Sequence, residues 1–145
     1  MNIYPNQTKF SRLFQQCLQT LNAQALPEYE SKQVSDLFVN MFPITKWGKI
    51  DWDRVKNKIY LGKDKNKIAP TLEDLIGKDF DHSVFIEWSE DYSVIKAELG
   101  AIIKHFDDVT CVAFDKFVFN LNEGYIIEVR HMNEITVGIV DAGIN

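Results

Sequence analysis

The stretch from Val109 onward constrains the fold of this chain more than any other part. Three runs rich in β-branched and aromatic residues, Val109–Phe119, Tyr125–His131 and Ile135–Val140, follow one another closely. Asn122-Glu123-Gly124 and Met132-Asn133-Glu134 supply turn residues at the two joins. Connections this short leave no room for a crossover, so the three strands are expected to lie side by side and antiparallel. Upstream, Ser83–Ser89 alternates, with Val84, Ile86 and Trp88 on one face, and reads as a further strand. Between them, Ser93 is placed to cap a helix carrying Ile95, Leu99, Ile102, Ile103 and Phe106 on one stripe, halted by Asp107-Asp108. The order β-α-β-β-β predicts an α+β fold, in which N-terminal helices precede an antiparallel sheet with helical packing on one face.

The N-terminal part reads as helical. Thr8 can cap a helix running to about Asn22, with Phe10, Leu13, Phe14, Cys17, Leu18 and Leu21 at 3.6-residue spacing. After Pro27, Ser31 starts a second helix through Val34, Leu37, Phe38 and Met41, ended by the restriction on the residue before Pro43. Residues 44–62, with Trp47, Ile50, Trp52, Val55, Ile59 and Leu61, read as one or two short strands or an irregular apolar arm. Lys63–Lys67 is a polar turn, and Pro70-Thr71 opens a helical turn, Leu72–Ile76, closed by Gly77. With 145 residues and no repeat or linker, a single domain over residues 1–145 is expected.

The net charge of -5 conceals an asymmetry. Residues 1–45 are neutral overall, residues 46–67 carry a net +5, and residues 68–145 carry a net -10. An acidic half repels phosphate and attracts cationic surfaces, so a basic partner is expected and direct nucleic-acid binding is not. In the basic segment, Lys58-Ile59-Tyr60-Leu61 interleaves charge with apolar residues like a strand rather than a phosphate-binding tract. No apolar run approaches the ~20 residues of a membrane span. Met1–Phe10 is polar, without the basic start and apolar core of a signal peptide, so a cytoplasmic location is expected. Cys17 and Cys111 then read as buried thiols in a reducing compartment.

Motifs with chemistry are scarce. The chain has no Gly-rich phosphate loop, HExxH, CxxC or GxSxG. His82, His105 and His131 have no ligand-like spacing, so neither a metal nor another cofactor is expected. Asp115, Glu128 and Glu134 fall on neighbouring predicted strands, which raises the alternative of a small metal-dependent hydrolase or nuclease built on sheet carboxylates. The base beside Glu128 is Arg130, however, which stays protonated and cannot act as a general base. Cross-strand pairing of Glu128 and Arg130 with opposite charges on a solvated sheet face is the simpler expectation. Trp52, Trp88 and Phe114 each stand next to acids, a setting suited either to core packing or to an interface anchor.

Several segments of the C-terminal half, in order, resemble one family. Val84-Phe-Ile-Glu-Trp-Ser89, Ala97-Glu-Leu99, His105-Phe-Asp-Asp-Val109 and Val112-Ala-Phe-Asp115 lead into Glu123-Gly-Tyr-Ile-Ile-Glu128 and His131-Met-Asn-Glu-Ile-Thr-Val-Gly138. With Gly48-Lys-Ile-Asp-Trp52, this string resembles immunity proteins of bacterial contact-dependent growth inhibition (CDI) systems over roughly residues 46–139. The resemblance implies a cytoplasmic inhibitor without catalytic residues. It would bind the C-terminal toxin domain of a cognate effector, expected to be a basic nuclease, and cover its active site or a nearby surface. Charge and expected exposure, rather than the resemblance, single out the contact residues. These are Glu87, Glu90, Asp91, Asp107, Asp108, Asp115, Glu128 and Glu134, with Trp52 and Tyr92 as aromatic anchors. An open sheet edge would also be available to the toxin or to a second copy.

Overall fold

The computed structural model describes residues 9–88, 92–113 and 115–140, with side chains from residue 12 onward. Thr8, Glu90, Asp91 and Phe114, singled out above, lie outside the described residues, and the side chain of Phe10 lies outside the described side chains. Seven strands form one antiparallel sheet: β1 (Gln24–Ala25), β2 (Asn57–Gly62), β3 (Ser83–Trp88), β4 (Ile95–Glu98), β5 (Lys116–Asn120), β6 (Tyr125–Val129) and β7 (Ile135–Ile139). Their spatial order is β1-β4-β3-β5-β6-β7-β2. The helices are α1 (Lys9–Leu21), α2 (Glu28–Met41), α3 (Ile68–Leu75), α4 (Leu99–Lys104) and α5 (Phe106–Thr110). The fold is α+β.

Both faces of the sheet are covered, not one. On the first face Val84, Ile86, Val118, Tyr125, Ile127 and Val137 pack with Phe14, Cys17, Leu72, Leu99, Ile102 and Phe106 from the helices. On the second, Phe117, Phe119 and Ile126 pack with Val34 and Phe38 of α2 and with Phe42, Ile50 and Val55 of the following arm. Phe38 anchors this layer, its ring 4.6 Å from Phe119 and 5.4 Å from Phe117. Every residue of β5 and β6 is buried as a result. Their near-continuous apolar character, Phe117-Val-Phe119 and Tyr125-Ile-Ile127, is what two-sided burial demands.

The N-terminal helices form largely as expected. Asn22 is left-handed (φ 51°) after α1, and the Ala23 N–H reaches back to the Leu18 carbonyl at 2.9 Å, closing the helix. α2 begins directly after Pro27 rather than at Ser31, whose hydroxyl instead accepts the Val94 N–H at 2.9 Å. It stops before Pro43, where the following proline disfavours helical backbone. Residues 44–62 become an arm with one isolated bridge, Ile44 to Ile50, followed by the edge strand β2.

The expected helix from Ser93 is corrected. Residues 95–98 are strand β4, a hairpin partner of β3 in the register Ser83↔Glu98 to Ile86↔Ile95. Ile95 has helical spacing to Leu99 and Ile102 but is buried from the sheet. Only the later positions are helical, in α4 and α5. The expected strand over 109–115 is corrected too: α5 runs to Thr110 and β5 starts at Lys116. Asp107 and Asp108 sit in the first turn of α5, where negative charge suits the helix dipole, and do not stop a helix. Cys17 is buried as expected, whereas Cys111 is exposed. Among the described residues no helix is long and apolar enough to cross a membrane.

Candidate functional site

Strand register lines up one row of side chains across the second face: Glu87 and Glu128 flank Phe117, and Thr136 and Tyr60 continue the row to the edge. Glu128 is 2% exposed and stands between Phe117 and Thr136, so the expected solvated cross-strand charge pairing of this residue is corrected. Its carboxylate accepts the Trp52 indole N–H at 2.8 Å and the Ile50 N–H at 3.4 Å. A buried carboxylate is tolerated when donors of this kind surround it. Trp52 can lie flat because residue 138 is glycine: a Cβ there would stand 2.6 Å from Trp52 Cζ3. Glu128 therefore fastens the part of the arm around Ile50 and Trp52 to the sheet.

Glu87, half-buried, accepts the Ser35 hydroxyl at 2.7 Å. Burial raises its carboxyl above the ordinary range, and the Ser35 bond only partly offsets this. Asp115 pins two turns together. It pairs with the Lys49 ammonium and accepts the His131 N–H at 3.1 Å. Burial works to raise the Asp115 carboxyl, but Lys49, the His131 N–H and Lys116 outweigh it, and the group lies below its ordinary range. Glu134 accepts the hydroxyl of Tyr60, and that hydrogen bond raises the phenol above its usual value.

The remaining expected residues lie elsewhere. Tyr92 stacks on Phe14 with centroids 4.8 Å apart and packs against the first-face core. Asp107 and Asp108 are exposed on α5, on the opposite face from Trp52 and Glu128. The structure thus joins Trp52 with Glu128, ties Asp115 and Glu134 into the turns at one end of the sheet, and separates both groups from α5. Among the described residues no three His, Cys, Asp or Glu side chains gather as a metal-binding set. The oxygens of Asp115 and Glu128, the two carboxylates on which a hydrolase would depend, are engaged by Lys49, His131, Trp52 and Ile50.

Outside the expected set, Tyr29, Leu37 and Val39 of α2 and Ile59 of β2 are exposed, and so are three residues nearer the 130–134 turn. Trp47 is 77% exposed, and Tyr60 and Met132 are each 61% exposed. A tryptophan between Lys46 and Gly48, and a methionine inside a predicted turn, were the sequence signals for two of them.

The sheet is thus covered on both faces, the carboxylates of Glu87, Asp115, Glu128 and Glu134 are hydrogen-bonded within the fold, and several large apolar side chains face solvent. Residues 11–138 match the family model described as CdiI immunity protein EcoliA0-like, and the chain belongs to this family of CDI immunity proteins. No curated protein matches it.

Proposed function

We propose that this immunity protein binds the toxin domain of its cognate CDI effector in the cytoplasm and neutralises it by occlusion, with no chemistry of its own. The observation that carries this reading is the family match over residues 11–138. The toxin we infer is a basic nuclease. The net charge of -10 over residues 68–145 supports a cationic partner and fast, salt-sensitive association. Asp107 and Asp108 are exposed and suited to steering such a partner. Glu87, Glu90, Asp91, Asp115 and Glu134 complete the acidic contact set, and Trp52 and Tyr92 supply aromatic area. Buried Glu128 acts by holding Trp52 in place.

Co-purification of the tagged protein with the toxin domain encoded immediately upstream, at low and high salt, tests the reading. A stoichiometric complex that abolishes nucleic-acid cleavage by the toxin is expected, with association slowing as salt rises. The absence of both a complex and protection would overturn it.

A further inference from the structure

Trp47, Tyr60 and Met132 come from three separate segments, yet hydrogen bonds hold those segments at one end of the sheet. The Thr45 hydroxyl accepts the Trp47 and Lys49 N–H groups, both at 3.2 Å, and shapes the 45–49 turn. Asp115 ties Lys49 of that turn to His131, beside Met132. Glu134, at the close of the same 130–134 turn, takes the Tyr60 hydroxyl. The setting is cationic. Lys46, Lys63 and Arg130 are exposed at this end against the carboxylate of Glu134, Lys49 and Asp115 being paired with each other. Lys46 holds its ammonium 4.9 Å from the Trp47 ring centroid.

A second observation points the same way. Met132 and Asn133 are both left-handed, at φ 75° and 61°. Asparagine tolerates this conformation, whereas methionine is strained in it. Folding alone favours glycine or asparagine at position 132. A strained, solvent-facing methionine in a tight turn is the kind of outlier that marks a functional position.

We infer that this end of the sheet is an anchor site in which Trp47, Tyr60 and Met132 enter an apolar hollow rimmed by Asp and Glu on the toxin domain. The inference rests on the immunity reading and adds a contact of opposite charge to the acidic set. Exposed aromatics and methionine at the centre, with charges at the rim, are the usual composition of an interface hot spot.

The test uses the full chain with the toxin domain encoded beside it, measuring equilibrium binding of the wild type and of Trp47→Ala, Met132→Gly, Lys46→Glu and Tyr29→Ala. Tyr29 is exposed near the start of α2, which is tied through Ser31 to Val94 beside β4 at the opposite edge of the sheet from β2, and serves as the control. Trp47→Ala should weaken binding about 30-fold or more. Met132→Gly should weaken it without lowering the melting temperature, which separates lost contact from lost fold. Lys46→Glu should weaken binding, and Tyr29→Ala should leave it unchanged. If the wild type binds and all four variants match it within about twofold, the anchor site is wrong and the immunity reading stands. If the wild type does not bind the toxin, both fall. Sedimentation of the free chain covers another occupant: a dimer that Trp47→Ala dissolves would assign the patch to a second copy and overturn the toxin contact.

Discussion

Trp52 and Glu128 stand 76 positions apart in sequence and are joined by a 2.8 Å hydrogen bond at a carboxylate that water does not reach. Replacing Glu128 with leucine leaves the indole N–H and the Ile50 N–H without their acceptor. A loss of about 1–3 kcal/mol in urea unfolding is expected, with red-shifted tryptophan emission as the arm loosens. Glu128→Gln retains an accepting oxygen and should cost clearly less. Equal effects of the two substitutions would show that the hydrogen bond does not hold the arm.

Gly138 tests the same junction from below. A methyl group at this position would meet Trp52 Cζ3 at 2.6 Å, Val55 Cγ1 at 3.1 Å and the Asn57 carbonyl at 3.2 Å. Gly138→Ala should therefore destabilise by about 1–3 kcal/mol through overpacking. Combined with Trp52→Ala, which removes the nearest obstacle, it should cost less than the two single changes summed. Strict additivity in that double-mutant cycle would contradict the contact.

Lys116 gives a pH signature. It is 2% exposed, between its cross-strand neighbours Trp88 and Val129, and burial lowers its ammonium to about 8 against the pull of Asp115 and Cys111. An unfolded lysine holds its proton to about 10.4. Between these values the unfolded chain binds more protons, so the Lys116 contribution to stability rises with pH. Lys116→Met should be more stable than the wild type at pH 7, and its advantage should shrink by about 2 kcal/mol by pH 10. The comparison must be a difference between the two proteins because the Cys17 thiol titrates with the opposite sign. Burial, aided by Asp108, raises it to about 12, so its contribution is lost as pH climbs past the unfolded thiol value. A gap that stays constant from pH 7 to pH 10 would mean that Lys116 titrates as an ordinary lysine.

The 130–134 turn yields a prediction about stability alone. Relieving the left-handed backbone at Met132 with glycine should stabilise the fold by about 1 kcal/mol and raise the melting temperature. A lower melting temperature would show that the methionine side chain supports the turn.

The sequence made the three C-terminal strands legible wherever the signal was local. The Gly124 turn and the pattern of Tyr125–Val129 needed no distant partner to be read. β4 was misread because Ile95, Leu99, Ile102 and Phe106 share a helical period, although the first of them is claimed by its hairpin with Ser83–Ile86. Periodicity does not sense such a partner. Two-sided burial did leave a trace, in the lack of alternation through Phe117–Phe119. Glu128 was legible as an acid on a strand, but its burial was not. The cover comes from Trp52 and Ile50, whose position depends on the whole arm folding back. Asp115 raised the same difficulty, since its partner Lys49 is 66 positions away.

The position of β2 also bears on when the anchor surface comes into being. Its residues are made early, but its partner is β7, in the register Asn57↔Ile139 to Gly62↔Ile135. A growing chain therefore carries Ile59 and Tyr60 without a sheet to join until Ile135–Ile139 have left the ribosome. Pairings of such long sequence separation form slowly and late. Tyr60 reaches its place beside Glu134 only at that step, so a partly synthesised copy would lack the completed surface, and protection would begin with whole molecules rather than with nascent ones.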